Sequence, residues 1–280
     1  MNNRFALRNE YNQDFELTSS KTAFMPSPEG LGYDMDAEYT RLGFAWVSDS
    51  LSDAQASISG DVYFQGADAF KCFADFSKFI RKASKLKFVY QNTQGEYIKD
   101  VDISSVDNAG MVGAHTIKCT LTMAAKSLWY LNNTTNYTIS SVASDAMRYP
   151  YKFPSIFRGT VNGEIDISND GSVEAPFTVS FIGPIVNPAL TLYQDEKEYA
   201  KIVITGEADT GESIELSTVD GDLYCYAKKA DGNTNLTDSL DIENENFFKI
   251  PIGTSTMKVS SDGDITQPII LTVRKLYRAV

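Results

Sequence analysis

Few residues of this 280-residue chain have the type and spacing to carry chemistry. There is one histidine, His115, and any His-dependent triad or zinc site has to be built on it. It stands in step with Ile117, Cys119, Leu121 and Met123, while Thr116, Lys118, Thr120 and Thr122 fall on the opposite face of the same alternating run. It therefore reads as a core-facing or strand-edge residue. Cys72, Cys119 and Cys225 are odd in number and widely separated, and read as small core residues, not as a disulfide framework or a metal set. The segment Asp166 to Gly171 has the look of a calcium loop, but Phe177 stands where the closing bidentate glutamate belongs, so it reads as a hairpin turn. No Gly-rich phosphate loop, no His-Glu-x-x-His and no Gly-x-Ser-x-Gly elbow occurs. With 37 acidic side chains, a carboxylate pair able to hydrolyse a glycoside is the one enzymatic alternative left open. The expectation is a chain with no catalytic residue, no metal and no cofactor.

The elements that would position any site are mostly strands. Short extended stretches recur at Phe15–Thr18, Gly43–Val47, Gln55–Phe64, Lys85–Gln91, Tyr97–Ser104 and His115–Met123. Between them Phe70, Phe73, Ala74, Phe76, Ser77 and Ile80 recur at three- and four-residue spacing, with Phe79 widening the stripe. This predicts one amphipathic helix over about 66–82 packed on a sheet. Its stripe is read as core or as subunit interface, with Phe70, Phe73, Phe76, Phe79 and Ile80 the candidate interface residues; the long strand 55–64 is a second candidate for extending a neighbour's sheet.

A strand ending in Ser127-Leu128-Trp129-Tyr130 runs into the polar stretch Asn132 to Ser144 and then into Tyr149-Pro150-Tyr151-Lys152-Phe153-Pro154. Each proline fixes φ and removes a donor, so neither a helix nor a central strand continues through this run. Trp129, Tyr130, Tyr149, Pro150, Tyr151 and Pro154 mark a domain junction, and two domains are expected at 1–145 and 146–280. The second shows about nine strand candidates and no convincing helix. Ile165/Ile167, Ile214/Leu216, Met257/Val259 and Leu271/Val273 alternate with polar neighbours, and turn signals such as Asp220-Gly221 and Asp231-Gly232-Asn233 separate the strands. That pattern predicts an antiparallel sandwich.

The formal charge is −12, and it is uneven: 17 acidic and 14 basic side chains in residues 1–150 against 20 and 11 in residues 151–280. An acidic surface does not attract phosphate backbones or anionic lipid, which disfavours sequence-specific nucleic-acid binding. No run approaches a membrane span and the N-terminus lacks a secretory apolar core, so synthesis in a cytoplasm is expected.

The order of these features carries a resemblance. The Leu128-Trp129-Tyr130 strand end and the Tyr149-Pro150-Tyr151 connector are followed by Gly163 to Asn169, Ala175-Pro176-Phe177 and Gly183-Pro184-Ile185-Val186-Asn187-Pro188. Upstream lies Pro28-Glu29-Gly30-Leu31-Gly32. The whole resembles the distal tail proteins of long-flexible-tailed (siphovirus) phages of Gram-positive bacteria. The resemblance implies a mainly β fold with one helix: an N-terminal β-sandwich-like ring domain and a C-terminal galectin-like antiparallel β-sandwich. It further implies a homohexamer ring, alone or stacked, at the virion tail tip. As partners it implies the tail tube protein above, a tail-tip, lysin-like protein below, and in some phages receptor-binding or baseplate proteins. The genome would pass through a lumen of neutral or acidic character. The competing function class is a carbohydrate-binding, lectin-like module contacting the host cell wall, with Tyr193, Tyr224 or Tyr226 stacking on sugar rings. The second domain holds neither His nor Trp, which weighs against a galectin-type site.

Overall fold

Alternation of apolar and polar side chains builds several of the strands, because successive side chains on a pleated strand point to opposite faces and a sheet packed on one side buries every second one. The strand Thr116–Ala125 is the clearest case, alternating between buried and part-exposed along its whole length. The computed structural model describes residues 3–19, 21–113, 115–137, 163–241, 247–263 and 265–280. They form two compact units, Met1–Leu131 with Tyr277–Val280 and Asn132–Leu276. The boundary expected at residue 145 lies outside the described residues, as do Tyr149, Pro150, Tyr151 and Pro154.

In the first unit β1 (Arg4–Asn9), β2 (Asp14–Glu16), β3 (Ala23–Phe24), β4 (Met35–Leu42), β5 (Ala45–Asp53) and β6 (Ser57–Gln65) precede helix α1 (Ala69–Lys82). There follow β7 (Leu86–Gln91), β8 (Glu96–Met111), β9 (Thr116–Ala125) and β10 (Trp129–Tyr137). The long β8 belongs to two antiparallel layers. Its first half lies between β7 and β10 in the order β2-β1-β7-β8-β10, and its second half pairs with β9, which pairs in turn with β6 and β3. Irregularities in the β8–β9 register after Ile103 and Asn108 accompany the change of layer, as bulges do where strands bend. The core gathers Leu7, Val62, Phe64, Phe76, Phe88, Leu121 and Trp129.

The helix begins at Ala69, three residues later than its stripe suggested, because Gly66 takes a left-handed φ of 111°. His115 departs from expectation. It is exposed in the turn that joins β8 to β9, and the inward face of β9 starts only at Ile117. The backbone has not yet entered the ladder at residue 115, so its phase with Ile117 carries no burial.

Strand β1 was not evident from the pattern, because Phe5, Ala6 and Leu7 are all buried and the alternation is lost. Its ends are held by charge. Arg8 donates to Asp14 at 2.7 and 3.0 Å and to Glu96 at 2.7 Å, and Arg4 also bonds Asp14. The hydrogen bonds from Arg8, then those from Arg4, hold the Asp14 carboxyl below the ordinary aspartate value. A depressed folded pKa stabilises above the unfolded value and loses that stabilisation as pH falls through the folded one. Asp14→Asn should therefore cost about 1 kcal/mol at neutral pH, and the gap to wild type should close as pH falls below about 4 in urea titrations.

The second unit contains β11 (Gly163–Asn169), β12 (Phe177–Ile182), β13 (Ile185–Val186), β14 (Ala189–Gln194), β15 (Lys197–Val203), β16 (Glu207–Ala208) and β17 (Ser213–Val219). β18 (Asp222–Lys229), β19 (Gly232–Asn235), β20 (Gly253–Ser260) and β21 (Ile269–Tyr277) complete it. One antiparallel sheet runs β19-β18-β17-β12-β21 and a second β11-β20-β14-β15, with β13 and β16 paired on their own. The expected pairs Ile165/Ile167, Ile214/Leu216, Met257/Val259 and Leu271/Val273 all lie in its core, with Phe177 and Phe181. The unit is a β-sandwich. The supposed calcium loop is a turn: Asn169 donates to the Val173 and Ile250 carbonyls at 3.0 Å each, and Asp166 accepts from Thr256 at 2.9 Å.

The β14–β15 hairpin turns through Asp195 and Glu196, at φ of 50° and 63°. This is the primed turn that suits strand twist, but it puts two side chains in the left-handed region. Glu196→Gly should raise stability by about 0.5–1 kcal/mol, read as a higher urea midpoint at unchanged slope.

Candidate assembly surface

Strands β4 and β5 pair with each other and, among the described residues, with no other strand. Leu42 faces Ala45 across a two-residue turn in which Gly43, at φ 66°, takes the left-handed position that glycine adopts without strain. The register sorts the side chains. Ala37 faces Leu51 and Arg41 faces Trp46, with Tyr39 between them in sequence, so Met35, Ala37, Tyr39, Trp46 and Leu51 fall on one face, together with Arg41, Ser48 and Asp53. Asp36, Ser52, Glu38, Ser50 and Thr40 fall on the other with Val47, Leu42 and Ala45, and there Thr40 bonds Asp49 beside the bulge. Phe44 stands at the tip, 103% exposed, and Trp46 is 66% exposed.

Such a ribbon is unstable by the ordinary rules. A two-stranded hairpin is marginal in water unless something covers its apolar face, and among the described residues nothing covers this one. Contiguous exposed apolar surface on a soluble chain marks an interaction site. The chemistry available here is packing, not reaction.

The helix residues expected in the core or at an interface divide between buried and exposed places. Phe76 is fully buried, with ring centroids 5.1 Å from Phe15 and 5.3 Å from Phe64, and Phe73, Phe79 and Ile80 pack part-buried against the same core. Phe70 alone of the five is exposed. Of the strand 55–64, Ile58, Val62 and Phe64 also point into the core. The hairpin was foreshadowed only by the stretch Gly43–Val47; the signal that could have found it is the apolar step Met35, Ala37, Tyr39 repeated across a glycine turn by Trp46.

Trp129 and Tyr130 are both fully buried in the first unit. The Trp129 indole donates to the Leu31 carbonyl at 3.1 Å, and the Tyr130 hydroxyl to Asp100 at 3.0 Å. The thiols of Cys119 and Cys225 are free and buried, and burial pushes each up to about 11, which makes them poor nucleophiles.

In the second unit Tyr224 and Tyr226 stack on each other at 5.1 Å. Tyr193 borders a cavity of about 280 Å³ with Glu164, Glu196 and Lys258. Its ring is capped by the Lys258 ammonium at 4.9 Å, which occupies a face that a sugar would use.

Fold and surface together define a class: two β-rich units with Cys119 and Cys225 buried as core, one of which presents an exposed two-stranded hairpin. Residues 4–126 match the family model described as distal tail protein, N-terminal domain. Its whole length has the fold of a chain in the phage P2 baseplate in its activated conformation with calcium, at 15% identity and a TM-score of 0.68, covering 100% of both chains. The same baseplate with strontium gives 14% and 0.68. The Dit protein of phage SPP1, described as a paradigm of the hub adsorption apparatus of phages infecting Gram-positive bacteria, gives 11% and 0.62 over 97% of this chain and 98% of that one. No curated protein sequence matches the chain.

Proposed function

We propose that the chain is a structural hub of the tip of a phage tail, a component of the virion that assembles from copies of itself. The first unit builds a ring, six-membered by resemblance, between the tail tube protein and the tail-tip and host-adhesion proteins, and the second unit carries docking surface for the latter. The observation that supports self-assembly is the hairpin β4–β5, whose apolar face has no cover among the described residues. A second copy supplies that cover. The genome passes through the lumen of the ring, which in this reading is not lined by rows of Lys and Arg that would exchange for its counterions.

The role is structural, with no reaction. His115, exposed in a turn, serves no catalytic group. His115→Gln should leave assembly intact and change stability by no more than about 0.5 kcal/mol in urea melts. Peptidoglycan or polysaccharide cleavage by the purified chain, abolished by one carboxylate substitution, would overturn the structural reading. Glycan binding lost in Tyr193→Ala would favour the lectin-like alternative.

A further inference from the structure

At the foot of the hairpin the first unit holds a cavity of about 500 Å³, walled by Tyr33, Asp53, Lys99, Lys126, Ser127 and Arg278 among others. Its cations are not alike. Arg278 is bound to Asp53 by two hydrogen bonds of 2.9 and 3.2 Å, and Lys126 pairs with Asp102 at 3.3 Å. Lys99 has no hydrogen bond or ion pair among the described residues; its ammonium lies 4.9 Å from the centre of the Trp129 ring. Asp34, also on the wall, is exposed and forms no ion pair with it.

Lys99 is 1% exposed and stands on β8 between Tyr97 and Val101, two buried residues that point the same way, opposite Phe88 of β7. Every rule of the strand asks for an apolar side chain there. The stem is buried and the ammonium opens into the cavity; with no anion beside it among the described residues, the aromatic face offsets only part of its lost hydration. Burial alone pushes this ammonium below the ordinary lysine value. A residue that breaks the local pattern with no compensation inside its own unit points to a partner outside it.

We infer that this cavity receives a carboxylate, an Asp or Glu side chain of a second copy of this chain, with the Lys99 ammonium as its counter-ion. Ser127 can add a donor: its Oγ accepts from the Asp100 N–H at 2.9 Å, and its own O–H is left to give. One ammonium and one hydroxyl suit a carboxylate, and a chain of net charge −12 repels polyanions. The same chain offers 37 acidic side chains. Tyr33 lies two residues before β4 and Asp53 ends β5, so the cavity adjoins the foot of the hairpin. The inference rests on the self-assembly proposed above.

The test uses the full chain. Lys99→Met should fold with a melting midpoint equal to or above that of wild type, and its assembly should weaken roughly thirtyfold or more. Competitive acetic anhydride labelling, read by mass spectrometry, needs no change at the site. Lys99 should titrate below ordinary lysines in protein held monomeric by Trp46→Ser with Leu51→Ser, and should rise or become protected on assembly of the wild type. Lys99→Met assembling as tightly as wild type, or Lys99 titrating alike in both states, overturns the inference while leaving the hairpin's role intact. If the hairpin variant assembles like wild type, assembly through the hairpin is what fails instead. Acetate should loosen the wild-type assembly more than chloride at equal ionic strength; acetate shifting Lys99 in the monomer while assembly leaves it unmoved would assign the site to free small carboxylates and overturn the second copy as occupant.

Discussion

Trp46→Ser combined with Leu51→Ser should leave the protein monomeric at concentrations where the wild type assembles. Both side chains lie on the apolar face of the hairpin, Trp46 at 66% and Leu51 at 60% exposure, so removing them takes nothing from either core. A tryptophan at the centre of an interface commonly carries about 2–4 kcal/mol of binding, and a leucine beside it adds to that. The expected loss is two or more orders of magnitude in association, followed by sedimentation velocity. Folding stability should stay within about 0.5 kcal/mol, because the substituted groups face solvent in the isolated unit. A drop in both together would mean that the hairpin's face is core and not interface.

The chain's other tryptophan should behave in the opposite way. Trp129 is fully buried against Phe88 and Tyr90, with ring centroids 6.1 and 6.3 Å away, and its indole N–H satisfies the Leu31 carbonyl. Trp129→Ala opens a cavity and strands that carbonyl, for a cost of about 3–5 kcal/mol in urea unfolding. It also uncovers the Lys99 ammonium. Trp129→Phe, which keeps an aromatic face and loses the hydrogen bond, should recover more than half of the loss. With only two tryptophans in the sequence, fluorescence separates them: Trp129 should emit to the blue throughout, and the red emission of Trp46 should shift to the blue on assembly.

These two residues also show where the sequence speaks and where it is silent. Periodicity reports which side chains share a face, and for β9, α1 and the strand pairs of the second unit that was enough to find the buried row. It does not report what the face lies against. On β4 the step Met35, Ala37, Tyr39 alternates like the start of a core strand, yet both strands are exposed, with no second layer against them among the described residues. The helix stripe poses the converse problem. Phe70 and Phe76 belong to the same apolar surface of α1, and the placement of α1 on the sheet buries Phe76 and leaves Phe70 in solvent. β1 lost its signal because Phe5, Ala6 and Leu7 are buried together. Lys99 lies in a strand that the pattern identified, but its meaning depends on the cavity, which brings residues 33, 53, 99, 127 and 278 to one place across the length of the chain.

The central claim is that the chain assembles through the hairpin of its first unit, and the most direct measurement is the solution mass of the wild type beside that of the double hairpin variant. The protomer mass is 31.0 kDa. Native mass spectrometry should show the wild type at the mass of a closed ring, six protomers or two stacked rings of six, and the Trp46→Ser, Leu51→Ser protein at the protomer mass. A wild type that stays at the protomer mass at every concentration, or a variant that forms the same ring, would contradict the account.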